Sequence, residues 1–211
     1  MKVELEATDL SKSYGGRRVF SGLTISASRG LVAVAGPNGS GKTTFLKILA
    51  SLLRPDSGSV RVRRDGVEVS GDARRLAVGW AGPDLSFYED LSAEENLDFF
   101  RRAAGRRSDP EAVARRLAEV GLADAARLYV GAFSTGMKQR LRIAFCTLFD
   151  APVLLLDEPM NGLDAAGRDM VTEVVAARRK EGAVVLASND PRDLAGADAV
   201  VEIAPAGGTR K

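Results

Sequence analysis

The chain has no histidine, a single cysteine and a single glutamine among 211 residues, and only 6% of it is aromatic. Without histidine there is no imidazole to shuttle a proton or to change charge near neutral pH. One cysteine excludes an intrachain disulfide. Cys146 lies in the apolar stretch Ile143 to Phe149, where it reads as a small buried hydrophobe in a protein of a reducing compartment. No stretch approaches the roughly 20 apolar residues of a membrane helix, and the opening MKVELEATDL lacks a signal core, so any membrane role is expected to come through a partner. A strong charge of one sign is missing too. There are 30 basic and 28 acidic residues, and 23 of the basic ones are arginine. Pairs such as Arg101-Arg102, Arg106-Arg107 and Arg178-Arg179 have acids interleaved nearby, so they read as solvated helix faces, and a nucleic-acid partner is not expected.

What is present suffices for one α/β domain, since 45% of the chain is hydrophobic. Val3 to Thr8, Val19 to Phe20, Leu23 to Ser28 and Ser59 to Arg64 have short strand character, with Gly15-Gly16 and Asp65-Gly66 as hairpin turns, which makes an antiparallel β portion. Leu31 to Ala35, Val153 to Asp157, Val184 to Ser188 and Val200 to Ile203 are apolar runs of the kind buried in a parallel sheet. Between them, from about Ser92 to Phe149, the pattern is helical. It opens on Ser92-Ala-Glu-Glu95, a capping box.

Three motifs carry chemistry. Gly36 to Thr44 reads GPNGSGKTT directly after an apolar strand and at a helix start. Gly36, Gly39 and Gly41 let the backbone turn its N–H groups inward around phosphate oxygens, with Pro37, Asn38 and Ser40 completing the loop. Lys42 can bridge the β- and γ-phosphates, and Thr43, followed by Thr44, offers a hydroxyl to Mg²⁺. In Leu154-Leu-Leu-Asp-Glu-Pro159, a buried strand delivers Asp157 to the sheet's carboxyl edge to hold Mg²⁺ and sets Glu158 to orient or deprotonate a water. In Phe133-Ser-Thr-Gly-Met-Lys-Gln-Arg140, Ser134 is a natural N-cap and Gly136 permits close backbone approach, so a second helix start is a candidate anion site running to about Phe149.

These motifs, in this order, resemble the ATP-binding subunit of ABC transporters over essentially the whole chain. GPNGSGKT corresponds to Walker A, LLLDEP to Walker B, STGMKQ to the family signature and Asn161-Gly-Leu-Asp164 to the D-loop. The resemblance implies a P-loop (RecA-like) core with an antiparallel β subdomain, spanning 1–91 and 150–211, and a helical subdomain inserted at 92–149 of a single domain. It implies ATP and Mg²⁺ as ligands, with Tyr14 stacked on adenine, and a subunit that powers transport, in the manner of export-type systems. It implies a homodimer or paired ATP-binding subunit in which Ser134, Thr135 and Gly136 of one chain close on the nucleotide held by the other, and Asp164 organises the interface. In that arrangement Gly39 to Thr44, Asp157 and Glu158 act from the chain that holds the nucleotide. A separate transmembrane subunit would hold the protein at the inner face of the cell membrane.

Two departures bear on mechanism. Where the family places a histidine against the γ-phosphate, Ala187-Ser-Asn-Asp190 puts Asn189, which can donate a hydrogen bond but carries no charge. Where the family has a glutamine near Mg²⁺, Gly79-Trp-Ala-Gly-Pro-Asp84 offers Pro83 or Asp84. Asp84 is either a water-mediated metal ligand or a plain loop acid. Phe87 and Tyr88, on the loop that follows, are read either as the docking point of the membrane subunit or as subdomain packing. Three activities stay open: a slow ATPase, a nucleotide sensor that scarcely hydrolyses, and a soluble ABC-type ATPase. The cargo is open as well, with the haem-exporter subunit of cytochrome c maturation one resemblance among export-type subunits.

Overall fold

In the computed structural model, residues 2–204 are described; the end of the expected core segment, 205–211, lies outside them. Side chains alternate along β1 (Val3–Tyr14), burying Val3, Leu5 and Ala7 while Glu4 and Glu6 stay half-exposed. The Gly15-Gly16 turn returns the chain as β2 (Arg17–Ala27). The next strand, β3 (Gly30–Ala35), is a continuous apolar run and leads into the glycine loop that opens α1 (Lys42–Leu49). The strands β4 (Ser57–Arg64) and β5 (Val67–Val69) complete a four-stranded antiparallel sheet in the order β2-β1-β4-β5.

After the short α2 (Gly71–Leu76), the chain forms β6 (Val78–Ala81), then α3 (Ala93–Ala103), α4 (Pro110–Glu119) and α5 (Thr135–Thr147). It closes with β7 (Val153–Asp157), α6 (Ala165–Glu181), β8 (Ala183–Ser188) and β9 (Ala199–Glu202). The second sheet is parallel throughout, in the order β6-β7-β8-β3-β9. Its parity divides the interior in two. Val153 and Leu155 of β7 and Val185 of β8 face a core shared with α1 and the antiparallel sheet. Leu154, Leu156, Val184 and Leu186 face a core shared with α3 to α6. Among the described residues no helix is long and apolar enough to cross a membrane.

Three local expectations are refined. The strand β6 has only four residues, too few to show as an apolar run. The signature helix ends at Thr147, short of Phe149. Phe87 is not an exposed loop aromatic: its ring lies edge-on to Phe100 and Phe145, with centroids 6.1 and 6.2 Å away. The loop is pinned from beneath by Asn96, fully buried, which accepts from the Tyr88 N–H at 2.9 Å and donates to the Tyr88 carbonyl at 3.0 Å. Tyr88 keeps 52% of its surface open. The Ser92 capping box forms, with the Glu95 N–H donating to Ser92 Oγ at 3.2 Å and the Ser92 N–H to Glu95 Oε2 at 2.8 Å. Such a cap stabilises by about 1 kcal/mol.

Candidate functional site

In a parallel sheet every strand ends at the same edge, so residues just past β3, β7 and β8 meet without contact in sequence. Val34, Ala187 and Asp157 share one rung of the ladder, and Ala35 lies beside Ser188 on the next. The glycine loop, the Asp157–Glu158 pair and Asn189 therefore converge.

The loop is shaped by residues without Cβ, for two different reasons. Gly39 takes a φ of 78° at the crest of the loop, where a Cβ would meet nothing within 4 Å; its requirement is the left-handed backbone angle and not space. Gly41 has φ of 105°, and a Cβ there would lie 2.4 Å from a Val19 methyl, so only glycine lets the loop pass under β2. Lys42, the first residue of α1, is 5% exposed and folds back over the loop, donating to the carbonyls of Gly36 at 2.8 Å and Pro37 at 3.3 Å. Its ammonium lies 3.1 Å from Glu158 Oε1, an ion pair without hydrogen-bond alignment. The cation is thus held in the concave loop by weak, exchangeable partners, at a helix N-terminus whose dipole already favours an anion.

Asp157 and Glu158 differ although adjacent. Asp157 is buried, and both its carboxylate oxygens lack an aligned donor. Burial raises its pKa, and the neighbouring Glu158 and Asp84 charges add to the rise, against the opposing pull of the Thr43 hydroxyl and Lys42. A carboxylate desolvated in this way fits a cation that the protein alone does not supply. Among the described residues no three His, Cys, Asp or Glu side chains converge to hold a metal by themselves. That donor set suits a Mg²⁺ that takes one carboxylate and one hydroxyl and fills its other positions with water and phosphate. Glu158 sits at φ of 49°, in the left-handed region, and its N–H donates to the Ala187 carbonyl at 2.8 Å. That backbone turn directs its carboxylate toward Lys42 and β8.

The remaining predicted residues are placed as follows. Asn189, just past β8, donates from Nδ2 to Asn38 Oδ1 of the loop at 3.0 Å. Asp84 is half-exposed and pairs with Lys47 of α1 at 3.0 Å. Tyr14 ends β1, 53% exposed, with the Lys12 ammonium 5.5 Å from its ring centre. Ser134 caps α5, accepting from the Met137 N–H at 3.2 Å, and Ser134 and Thr135 are exposed. A Cβ on Gly136 would stand 3.2 Å from the Gly162 carbonyl, so the signature turn packs closely on the 161–164 segment. Asp164 caps α6, accepting from the Gly167 N–H at 2.8 Å. The single glutamine, Gln139, is buried, donates to the Pro159 carbonyl at 3.1 Å and accepts from Arg142, which in turn donates to the Leu85 carbonyl beside Asp84. Sequence reasoning missed Ser188, which is fully buried with its hydroxyl against Glu158, because its place depends on strand register.

A phosphate-shaped loop, a buried cation, a desolvated carboxylate and a second acid at one sheet edge define a P-loop nucleotide-binding protein. Comparison with known proteins narrows the class. Residues 21–161 match the ABC transporter family, and the chain belongs to it. It is 36% identical over 207 residues to the cytochrome c biogenesis ATP-binding export protein CcmA 2 of Cupriavidus metallidurans, covering 97% of each chain. It is 38% identical over 178 residues to the daunorubicin resistance ATP-binding protein DrrA3 of Streptomyces coeruleorubidus, a match that covers 83% of this chain and 56% of the relative. The chain thus spans little more than half of that second protein. Among solved structures, an ATP binding subunit of an ABC transporter superposes with a TM-score of 0.82 at 28% identity, over 94% of this chain and 85% of the other. A bacterial Atm1-family ABC exporter with ATP bound gives 0.81 at 21% identity, over 97% of this chain and 38% of that one, a likeness of fold alone.

Proposed function

We propose that the chain is the ATP-hydrolysing subunit of an export-type ABC transporter, working as a pair of copies bound to a separate membrane subunit. The observation that carries this reading is the meeting of Lys42, Asp157 and Glu158 at one sheet edge, with Lys42 Nζ 3.1 Å from Glu158. The backbone N–H groups of Asn38 to Thr44, turned inward at Gly39 and Gly41, receive the phosphates of ATP, and Lys42 exchanges carbonyl partners for phosphate oxygens. Tyr14 stacks on the adenine. Thr43 and Asp157 would hold Mg²⁺, and Asp84 would contribute its carboxylate to the same site. When bound, Mg²⁺ neutralises charge on the β- and γ-phosphates. Glu158 orients the attacking water and accepts its proton, and Asn189 donates to the γ-phosphate in place of an imidazole. Donation without charge makes hydrolysis slow.

Ser134, Thr135 and Gly136 close on the nucleotide from the other copy. The exposure of Ser134 and Thr135, and the absence of any carboxylate or lysine between Ser134 and Gly136, support that reading. Asp164 holds the start of α6 at the same interface. The membrane subunit docks over an apolar cavity of about 350 Å³ lined by Leu52, Leu76, Trp80, Leu85, Phe145 and Phe149, next to the cluster that holds Phe87. Tyr88 adds an exposed ring on the loop beside that cluster, and Trp80, the sole tryptophan, reports docking through its emission. On this reading the chain sits at the inner face of a membrane through its partner.

The decisive test is single-turnover Mg-ATP hydrolysis by the complex with the membrane subunit that co-purifies, a protein that also reveals the cargo class. Glu158→Gln is expected to lower the rate about 100-fold while ATP binding persists. Asp84→Ala is expected to raise the Mg²⁺ concentration needed for half-maximal rate. A second reading, a sensor that binds ATP without turnover, is favoured by Asn189 in the histidine's place. It replaces the first if the wild-type complex binds ATP and shows no hydrolysis.

A further inference from the structure

Beyond the roles above, we propose that Ser188 is a positioning residue for hydrolysis: its hydroxyl holds the Glu158 carboxylate in line for the attacking water. The inference rests on the ATPase reading of the site. Ser188 ends β8 and is fully buried, between the two strand ends that carry Glu158 and the P-loop. Its Oγ lies 2.9 Å from Asp193 Oδ2 and 3.4 Å from Glu158 Oε2, and accepts from the Asp190 N–H at 3.0 Å.

A serine hydroxyl has one proton, and two carboxylates compete for it. The competition is uneven. Asp193 has a second partner, the Arg168 guanidinium at 2.9 Å, which offsets its charge. Glu158 has Lys42, and Lys42 is the cation that turns to the phosphates once ATP enters. At that point Glu158 loses its ammonium and faces a hydroxyl proton already within reach, while Asp193 keeps its arginine. The proton then swings from Asp193 to Glu158, and a bond to a charged acceptor is the stronger kind. The Glu158 backbone is already fixed by its left-handed turn and its bond to the Ala187 carbonyl, so this hydroxyl constrains the remaining freedom, that of the side chain. The next residue along, Asn189, is turned toward the loop, where its amide donates to Asn38.

The test is single-turnover hydrolysis of Mg-ATP by the full chain in complex with its membrane subunit. Ser188→Ala is expected to lower the rate about tenfold, with the affinity for a fluorescent ATP analogue changed less than about twofold. Ser188→Thr, which keeps the hydroxyl on a strand that accepts β-branching, restores most of the rate. In a Glu158→Gln background, Ser188→Ala causes no further loss. Asp193→Asn keeps the side chain's shape and removes the competing charge, so it leaves the rate at or above wild type even if Ser188→Ala folds poorly. An undiminished rate in Ser188→Ala, a Thr variant no better than Ala, or a tenfold loss in Asp193→Asn would overturn the positioning role alone. ATP binding without hydrolysis by the wild-type complex would overturn the ATPase reading and this role with it.

Discussion

Two helices of this chain begin at a predicted motif, α1 behind Gly41 and α5 behind Ser134, and they are built to opposite ends. At the start of α1 the turn closes over a buried lysine, with Asp157 and Glu158 beside it. At the start of α5, Ser134 satisfies the helix's own Met137 N–H, Ser134 and Thr135 face outward, and the turn abuts Gly162. The first end holds a buried cation, a desolvated carboxylate and a second acid. The second offers donors and no chemistry. On the proposed reading, the second end closes on an anion held at the first from another copy.

The comparison can be broken at its stronger end first. Lys42→Ala removes the buried cation of the loop and is expected to reduce Mg-ATP hydrolysis by about 100-fold or more, with binding weakened as well, read by steady-state rate and nucleotide titration. At the other end, Thr135→Glu sets a negative charge on the exposed signature turn. Hydrolysis is expected to fall about tenfold while the separate chain binds ATP as before, since the P-loop is untouched. Equal loss of binding in that variant would mean that the two ends serve one nucleotide within a single chain.

A subtler contrast lies in stability. Burial first, and then Glu158 and Asp84, raise the pKa of Asp157, so its ionised form weakens the nucleotide-free fold at neutral pH. Asp157→Asn is expected to raise the melting temperature of the nucleotide-free chain by a few degrees while Mg-ATP hydrolysis is largely lost at ordinary Mg²⁺ concentrations. The smallest effect concerns Asp190, whose carboxyl the Arg192 guanidinium holds down at about 2. A depressed carboxyl pKa contributes stability above the unfolded value near 4 and loses it as pH falls toward 2. Arg192→Ala should flatten the acid limb of the melting curve between those values, lowering the melting temperature slightly at pH 7 and leaving it unchanged near pH 2.

Much of this was legible in the sequence because it lies in contiguous stretches. The P-loop with its turn at Gly39, the Asp157–Glu158 strand end, the Ser134 cap and the Ser92 box each need only neighbouring residues, and each forms where the pattern places it. What was not legible depends on register and on distant partners. The contact of Ser188 with Glu158 spans 30 residues and exists because β7 and β8 pair in one particular alignment. Phe87 could be read from its loop either as a docking or as a packing aromatic, and the choice needs Phe100 and Phe145, which reach it from α3 and α5. Asp84 and Lys47 are distant in sequence and meet only because α1 packs under the loop.

The central claim is that the P-loop of one chain is completed by the signature turn of a second copy. It is tested most directly by the mass of the Glu158→Gln variant in solution, measured by light scattering with and without Mg-ATP. The account predicts a monomer without nucleotide and a dimer with Mg-ATP, reverting to monomer when Thr135→Glu is added. A variant that binds Mg-ATP and stays monomeric at every concentration would contradict it.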